Sequence, residues 1–77
     1  MIDRIKKVMA SVFGINEADI DENASPATIE QWDSLRHMNL VLALEDEFGV
    51  SFSDEDIAQM MNFKLLVLTL KEHLGEA

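Results

Sequence analysis

The chain has no cysteine among its 77 residues, which excludes disulfides and thiolate metal sites. It also has no long hydrophobic run. The longest, Leu40 to Leu44, falls far short of the roughly 20 apolar residues that a membrane-spanning helix needs. Asp3, Arg4, Lys6 and Lys7 interrupt any signal-peptide-like apolar region at the N-terminus. The expectation is therefore a cytoplasmic protein without membrane insertion. Basic residues are scarce, since six Lys and Arg stand against fifteen Asp and Glu, for a formal net charge of −9. The imbalance is local: residues 17–56 hold twelve of the acids and one base, Arg36, while the rest holds five bases and three acids. A phosphate backbone would be repelled by such a stretch, so nucleic acid is excluded as a partner. Basic protein surfaces suit it, because charge complementarity steers association. Repeats, low-complexity tracts and linkers are missing too.

What is present suffices for one small domain, residues 1–77, expected to be a monomer. Its hydrophobic content of 48% is enough for a simple core and argues against disorder. A domain of this length buries only about 60% of the surface of its unfolded chain. Ile2, Ile5, Val8, Met9 and Val12 recur at helical spacing, with Gly14 following as a stop. Residues 14–33 read as a long acidic loop in which Ile15 and Ile20 turn back to the core, and Ser25-Pro26 opens one short turn. The strongest helix spans Ser34 to Phe48, with Leu35, Met38, Val41, Leu42, Leu44 and Phe48 as its apolar stripe. Glu45, Asp46 and Glu47 crowd its last turn, where the helix dipole prefers cations, and this points to recognition. Val50 and Phe52 enter the core. Ser53 then caps a short helix through Met60, and Asn62 caps a last one from Phe63 to Leu74 with Phe63, Leu66, Val67, Leu70 and Leu74 inward. The fold expected is all-α: a small four-helix bundle of three longer helices and a short third one, with a long loop between helices 1 and 2.

The chemistry concentrates at Trp32-Asp33-Ser34-Leu35. A catalytic Ser34 would need a base, an orienting group and an oxyanion site. The G-x-S-x-G elbow is absent, and His37, three residues on, is expected to face solvent or a partner. His73 is expected on the surface. Two other roles remain for the serine. Ser34 or Asp33 can simply cap the helix. Alternatively Ser34 can carry a phosphodiester, because unpaired amides and the positive end of the dipole favour an anion at a helix N-terminus. Trp32 reads as an aromatic plug between loop and core.

Asp33-Ser34-Leu35, followed by Met38-x-Leu40-Val41-x-Ala43-Leu44-Glu45-x-x-Phe48-Gly49-Val50, closely resembles the acyl carrier protein family, and the likeness extends over essentially the whole chain. The resemblance implies that Ser34 is the attachment point of 4′-phosphopantetheine, supported by Asp33. The thiol of that group would hold acyl or aminoacyl intermediates as thioesters, and the chain itself would be non-catalytic. The partners implied are a phosphopantetheinyl transferase and acyl- or aminoacyl-loading ligase, ketosynthase or acyltransferase-type enzymes. They would contact Leu35, Arg36, His37 and Met38, with Glu45, Asp46, Glu47, Asp54, Glu55 and Asp56. Such bundles can admit an acyl chain between helices, and Leu42, Val50, Phe52, Ile57 and Met60 are the candidates to line that space, with Leu35 and Met38 at its edge. Carriers of fatty-acid synthesis usually have an acid two places after the serine. Here Arg36 stands there, which, with Trp32 before Asp33, resembles carriers of specialised pathways.

Two other classes compete. Asp19-x-Asp21-x-Asn23 with Glu30 matches four positions of a calcium-binding EF-hand loop. Ala24 stands where that loop needs glycine, Pro26 falls within it, and no helix runs into Asp19, so a solvated loop is expected and no metal ligand is assigned. The other alternative is an unmodified acidic interaction domain.

Overall fold

Three of the four helices start where a side chain takes up an amide that the first turn leaves unpaired. The computed structural model describes residues 1–75; residues 76 and 77 of the expected domain lie outside the described residues. Four helices follow in order: α1 (Ile2–Phe13), α2 (Ser34–Phe48), α3 (Asp54–Gln59) and α4 (Phe63–His73), with a 3₁₀ turn at Glu17–Asp19 in the loop after α1. Asp33 caps α2 by accepting the Arg36 amide at 2.8 Å. Ser53 and Asp56 exchange two 3.1 Å hydrogen bonds as a capping box on α3. Asn62 accepts the Leu65 amide at 2.8 Å to open α4. At the other end of α2, Gly49 has φ of 67° and its amide closes on the Glu45 carbonyl, a left-handed cap that a residue without Cβ adopts at no steric cost.

The bundle is all-helical among the described residues, as expected. α1 contributes Ile5, Met9 and Phe13 to the core, and α4 contributes Phe63, Leu66, Val67 and Leu70. The long loop is pinned by its own apolar residues. Ile20, Ala24, Ile29 and Trp32 are all buried, and Ile15 is partly so. The Ser25 carbonyl accepts from the Thr28 and Ile29 amides, which forms the turn expected at Ser25-Pro26. The Ala24 carbonyl accepts the Phe63 amide at 2.9 Å, tying the loop to the start of α4. Ile2 and Leu74, both expected to face inward or share an apolar stripe, are instead exposed at the ends of their helices, and Thr69 is buried.

Helix α2 requires the larger correction. Its buried residues are His37, Leu40, Val41 and Leu44, a set spaced i, i+3, i+4, i+7. Leu35, Met38 and Leu42 lie outward. The helix is apolar almost all round from Leu40 to Leu44, so periodicity alone fixes its inward face poorly.

The acids at its C-terminus are not left facing the dipole alone. Arg4 of α1 donates to the Glu47 carboxylate at 2.8 and 3.0 Å and to the Glu47 carbonyl at 3.1 Å, with its guanidinium 4.5 Å from the Phe48 ring centroid. The cation that α2 lacks in its own last turn thus arrives from α1. Glu45 turns inward instead and accepts the Phe52 amide at 2.8 Å.

α3 is fastened to α4 by Asp56, whose carboxylate lies 2.7 Å from His73 Nε2 while that ring meets Phe52 edge-on at 4.9 Å. His73 beside it, together with the Ser53 amide, holds the Asp56 carboxyl below its ordinary value of 3.8. A depressed carboxylate stabilises the fold above its unfolded value, and that contribution fades as pH falls through the lower folded one. Asp56→Asn is therefore expected to cost about 1 kcal/mol at neutral pH, the scale of a lost cap. Urea unfolding at a series of pH values should show the gap between variant and wild type closing below 3.8.

Candidate functional site

Trp32 decides where the start of α2 sits. It is almost fully buried, with its ring centroid 5.4 Å from that of Phe13 on α1. Its indole N–H donates to His37 Nδ1 at 3.0 Å. The last residue of the loop before the cap is thus fixed from inside, and the chain emerges to the surface directly after it. Asp33 then caps, and Ser34, the first residue of α2, is exposed.

Capping and exposure are divided between neighbours. Asp33 Oδ1 takes the Arg36 amide, its Oδ2 pairs with Arg36 Nη1 at 3.0 Å, and its carbonyl takes the His37 amide. Among the described residues no hydrogen bond engages the Ser34 side chain. The cap reading of the sequence therefore settles on Asp33, and the Ser34 hydroxyl stands at a helix N-terminus, between Asp33 and the Arg36 that pairs with it. That environment favours an anion on the hydroxyl, because it lies at the positive end of the helix dipole.

His37 is the chief correction to the expected site. Expected to face solvent or a partner, it is 5% exposed. An indole N–H can only donate, so Nδ1 is the acceptor; the Ile57 carbonyl, 2.9 Å from Nε2, can only accept, so Nε2 carries the proton. The imidazole is neutral in this arrangement, with both nitrogens used. It connects the loop end, α2 and α3. A bare histidine on a helix gave no sign of this; the available signal was its place in the spacing 37, 40, 41, 44, together with a tryptophan five residues before it.

The other expected contact residues divide into two groups. Leu35, Met38 and Leu42 form an exposed apolar stripe leading down α2 from Ser34. Leu42, expected to line an interior space, is thereby moved to the surface. Asp46, Asp54 and Glu55 are exposed. Glu45, Glu47 and Asp56 are engaged with Phe52, Arg4 and His73 respectively. Phe52 and Met60 belong to the buried core, with Val50 and Ile57 partly buried against it. One surface groove of about 490 Å³ lies between the loop and α4, lined by Glu22, Ser25, Asn62 and Lys64 among others, and it includes neither Ser34 nor any expected cavity residue. In the acidic loop, Asp21 accepts the Asn23 amide at 2.8 Å and Asp19 ends the 3₁₀ turn. Among the described residues no three His, Asp or Glu side chains are grouped to hold a metal, and no helix is long and apolar enough to cross a membrane.

Two comparisons with known proteins bear on the chain as a whole. Residues 3–70 match the family described as "Phosphopantetheine attachment site". The fold is similar to the solution NMR structure of a holo acyl carrier protein from Geobacter metallireducens, with a TM-score of 0.85 and 26% sequence identity over 96% of this chain and 85% of that one.

Trp32→Phe keeps an aromatic ring against Phe13 but leaves His37 Nδ1 without its donor, and an orphaned buried polar group costs about 1–3 kcal/mol. His37→Leu orphans the indole in turn. Urea unfolding of both variants and the double variant should give a coupling of about 1 kcal/mol, since residues in one hydrogen-bond network are not additive. Simple additivity would show that the bond contributes nothing.

Proposed function

This chain belongs to the phosphopantetheine-attachment family, as a carrier domain of the acyl carrier type, and we infer that Ser34 is the residue that bears its prosthetic group. The group of the family is 4′-phosphopantetheine, and when bound it supplies a terminal thiol that holds acyl or aminoacyl groups as thioesters. The observation that carries the assignment is the separation of roles at the start of α2: Asp33 does the capping and Ser34 is exposed beside it. The residues present fit a phosphodiester at that position. The first amides of α2 and the Arg36 guanidinium offer donors and positive charge to it, while Trp32 and His37 hold the backbone beneath it in place. The cysteine-free sequence leaves the thiol of the prosthetic group without a competitor in the chain.

In this reading the chain performs no catalysis of its own. A phosphopantetheinyl transferase recognises the start of α2, and loading and condensing enzymes follow it. Leu35, Met38 and Leu42 offer them apolar contact, and Asp46, Asp54 and Glu55 offer charge that is not already paired within the fold. The pathway assigned is a specialised one with its own partner enzymes. Support for this comes from Arg36, exposed and ion-paired to Asp33 where carriers of fatty-acid synthesis usually present an acid; His37, being buried, adds nothing to it.

Incubation with coenzyme A, magnesium and a broad-specificity phosphopantetheinyl transferase should add one phosphopantetheine to the wild-type mass and none to Ser34→Ala. No mass gain with several transferases would overturn the assignment. For the pathway, Arg36→Glu should raise the rate at which a fatty-acid-type acyltransferase loads the holo protein by about tenfold, as expected for restored charge steering. A wild-type rate equal to that of a fatty-acid carrier would refute the specialised reading.

A further inference from the structure

The bridge between α2 and α3 is made by side chains at both ends of a seam. At the end near Ser34, His37 Nε2 donates to the Ile57 carbonyl at 2.9 Å, and Trp32 fixes the ring from behind. At the far end Glu45 accepts the Phe52 amide at 2.8 Å. Between them the interior is filled: Leu40, Val41, Leu44 and Met60 are fully buried. Among the described residues no buried side-chain nitrogen or oxygen lacks a partner, so the seam is satisfied as it stands. A guest entering from the Ser34 end would have to separate His37 from Ile57. That would leave a carbonyl and an imidazole N–H unpaired in an apolar setting, where unmade hydrogen bonds are most costly.

We propose that the Trp32–His37–Ile57 chain is a latch across the mouth of the α2–α3 seam, that it keeps short acyl cargo outside the bundle, and that His37 is the positioning residue that sets this exclusion. The proposal rests on the assignment of Ser34 as the attachment point. A short chain buries too little apolar surface to repay one broken, partly buried hydrogen bond and the two polar groups it leaves unpaired, because the gain grows only with each methylene removed from water. A short or polar acyl or aminoacyl cargo therefore stays outside the bundle. It is presented on the surface, where Leu35 and Met38 flank the serine and are themselves exposed. Partner enzymes then meet the thioester without first drawing it out of the protein.

The test compares wild type, His37→Leu and His37→Gln, each converted with acetyl- or hexanoyl-coenzyme A by a phosphopantetheinyl transferase. Glutamine retains one acceptor for Trp32 and one donor for Ile57; leucine retains neither. Mass spectrometry first checks that one acyl-phosphopantetheine is present on Ser34. Failure to load would overturn the Ser34 assignment, and this proposal with it. On loaded protein, hydroxylamine cleavage of the acetyl and hexanoyl thioesters should proceed at similar rates in wild type and His37→Gln. In His37→Leu the hexanoyl thioester should be protected by about tenfold or more, the scale of a few buried methylenes, with methyl shifts at Met60 and Leu40. Circular dichroism checks folding, and Trp32→Phe replaces His37→Leu if the latter does not fold. Protection of the hexanoyl thioester in wild type, with the same Met60 shifts, would overturn the latch while leaving Ser34 as the attachment point. So would equal cleavage rates for the two thioesters in the folded latch variant.

Discussion

Almost everything that positions the site depends on one neutral imidazole. His37 accepts from the Trp32 indole through Nδ1 and donates to the Ile57 carbonyl through Nε2, so its tautomer is dictated by partners that can act in only one direction. Three stretches of chain with little else in common meet at that ring: the end of a twenty-residue loop region, the first turn of α2, and the short α3. A six-residue helix such as α3 is too short to be stable from its own backbone hydrogen bonds. Its hold on the rest of the fold comes from His37 on one side and from Asp56 with His73 on the other. The polar groups involved are buried or partly buried and mutually satisfied, and this favours one arrangement over near alternatives.

The acidic surplus looks different once individual charges are followed. Composition treats fifteen carboxylates as one field, but several of them serve the fold. Glu47 brings Arg4 to the C-terminus of α2, Glu45 holds the turn before α3, and Asp56 works in a capping box as well as a hydrogen bond with His73. Exposed ion pairs of this kind contribute little individually. Their larger effect is to remove those acids from the set a partner can read. Of the expected contact acids, Asp46, Asp54 and Glu55 stay exposed outside these interactions, and Leu35, Met38 and Leu42 are exposed on α2. Exposed apolar and acidic groups suit basic partners, and which acids remain among the expected contacts follows from the ones the fold engages.

The helix boundaries were legible because they depend on local chemistry. Asp33, Ser53 and Asn62 cap as their positions predict, and Gly14 and Gly49 stop α1 and α2 in left-handed conformations. The inward face of α2 was not legible, for a specific reason. Leu40 to Leu44 are apolar in succession, so the stripe can be drawn along Leu35, Met38 and Leu42 as easily as along Leu40, Val41 and Leu44. The residue that breaks the tie, His37, is polar by composition and was assigned to the surface. Only its two hydrogen-bond partners make it a core residue, and Ile57 lies twenty residues away, beyond any local pattern. The same limit applies to Arg4 and Glu47, separated by forty-three residues. The start of α2 at Ser34 was legible from its surroundings, whereas the structure around it was readable only in part.

If Ser34 bears the prosthetic group as proposed, it has two opposed requirements: it must be accessible to enzymes, yet its backbone must be held still enough for them to recognise. The chain meets them with adjacent residues of opposite character. Trp32 is buried and bonded, Asp33 turns its carboxylate back to the helix amides, and Ser34 is exposed with its hydroxyl outside that network. Because the anchor lies in the backbone on either side, through Trp32 before and His37 after, none of the fixing groups needs to touch the hydroxyl itself. Any modification of Ser34 can therefore add charge and bulk at the surface without disturbing the core. A phosphodiester there would also lie at the helix end where the dipole favours an anion. The helix that displays the serine is stabilised at its start by the same features that leave the serine available.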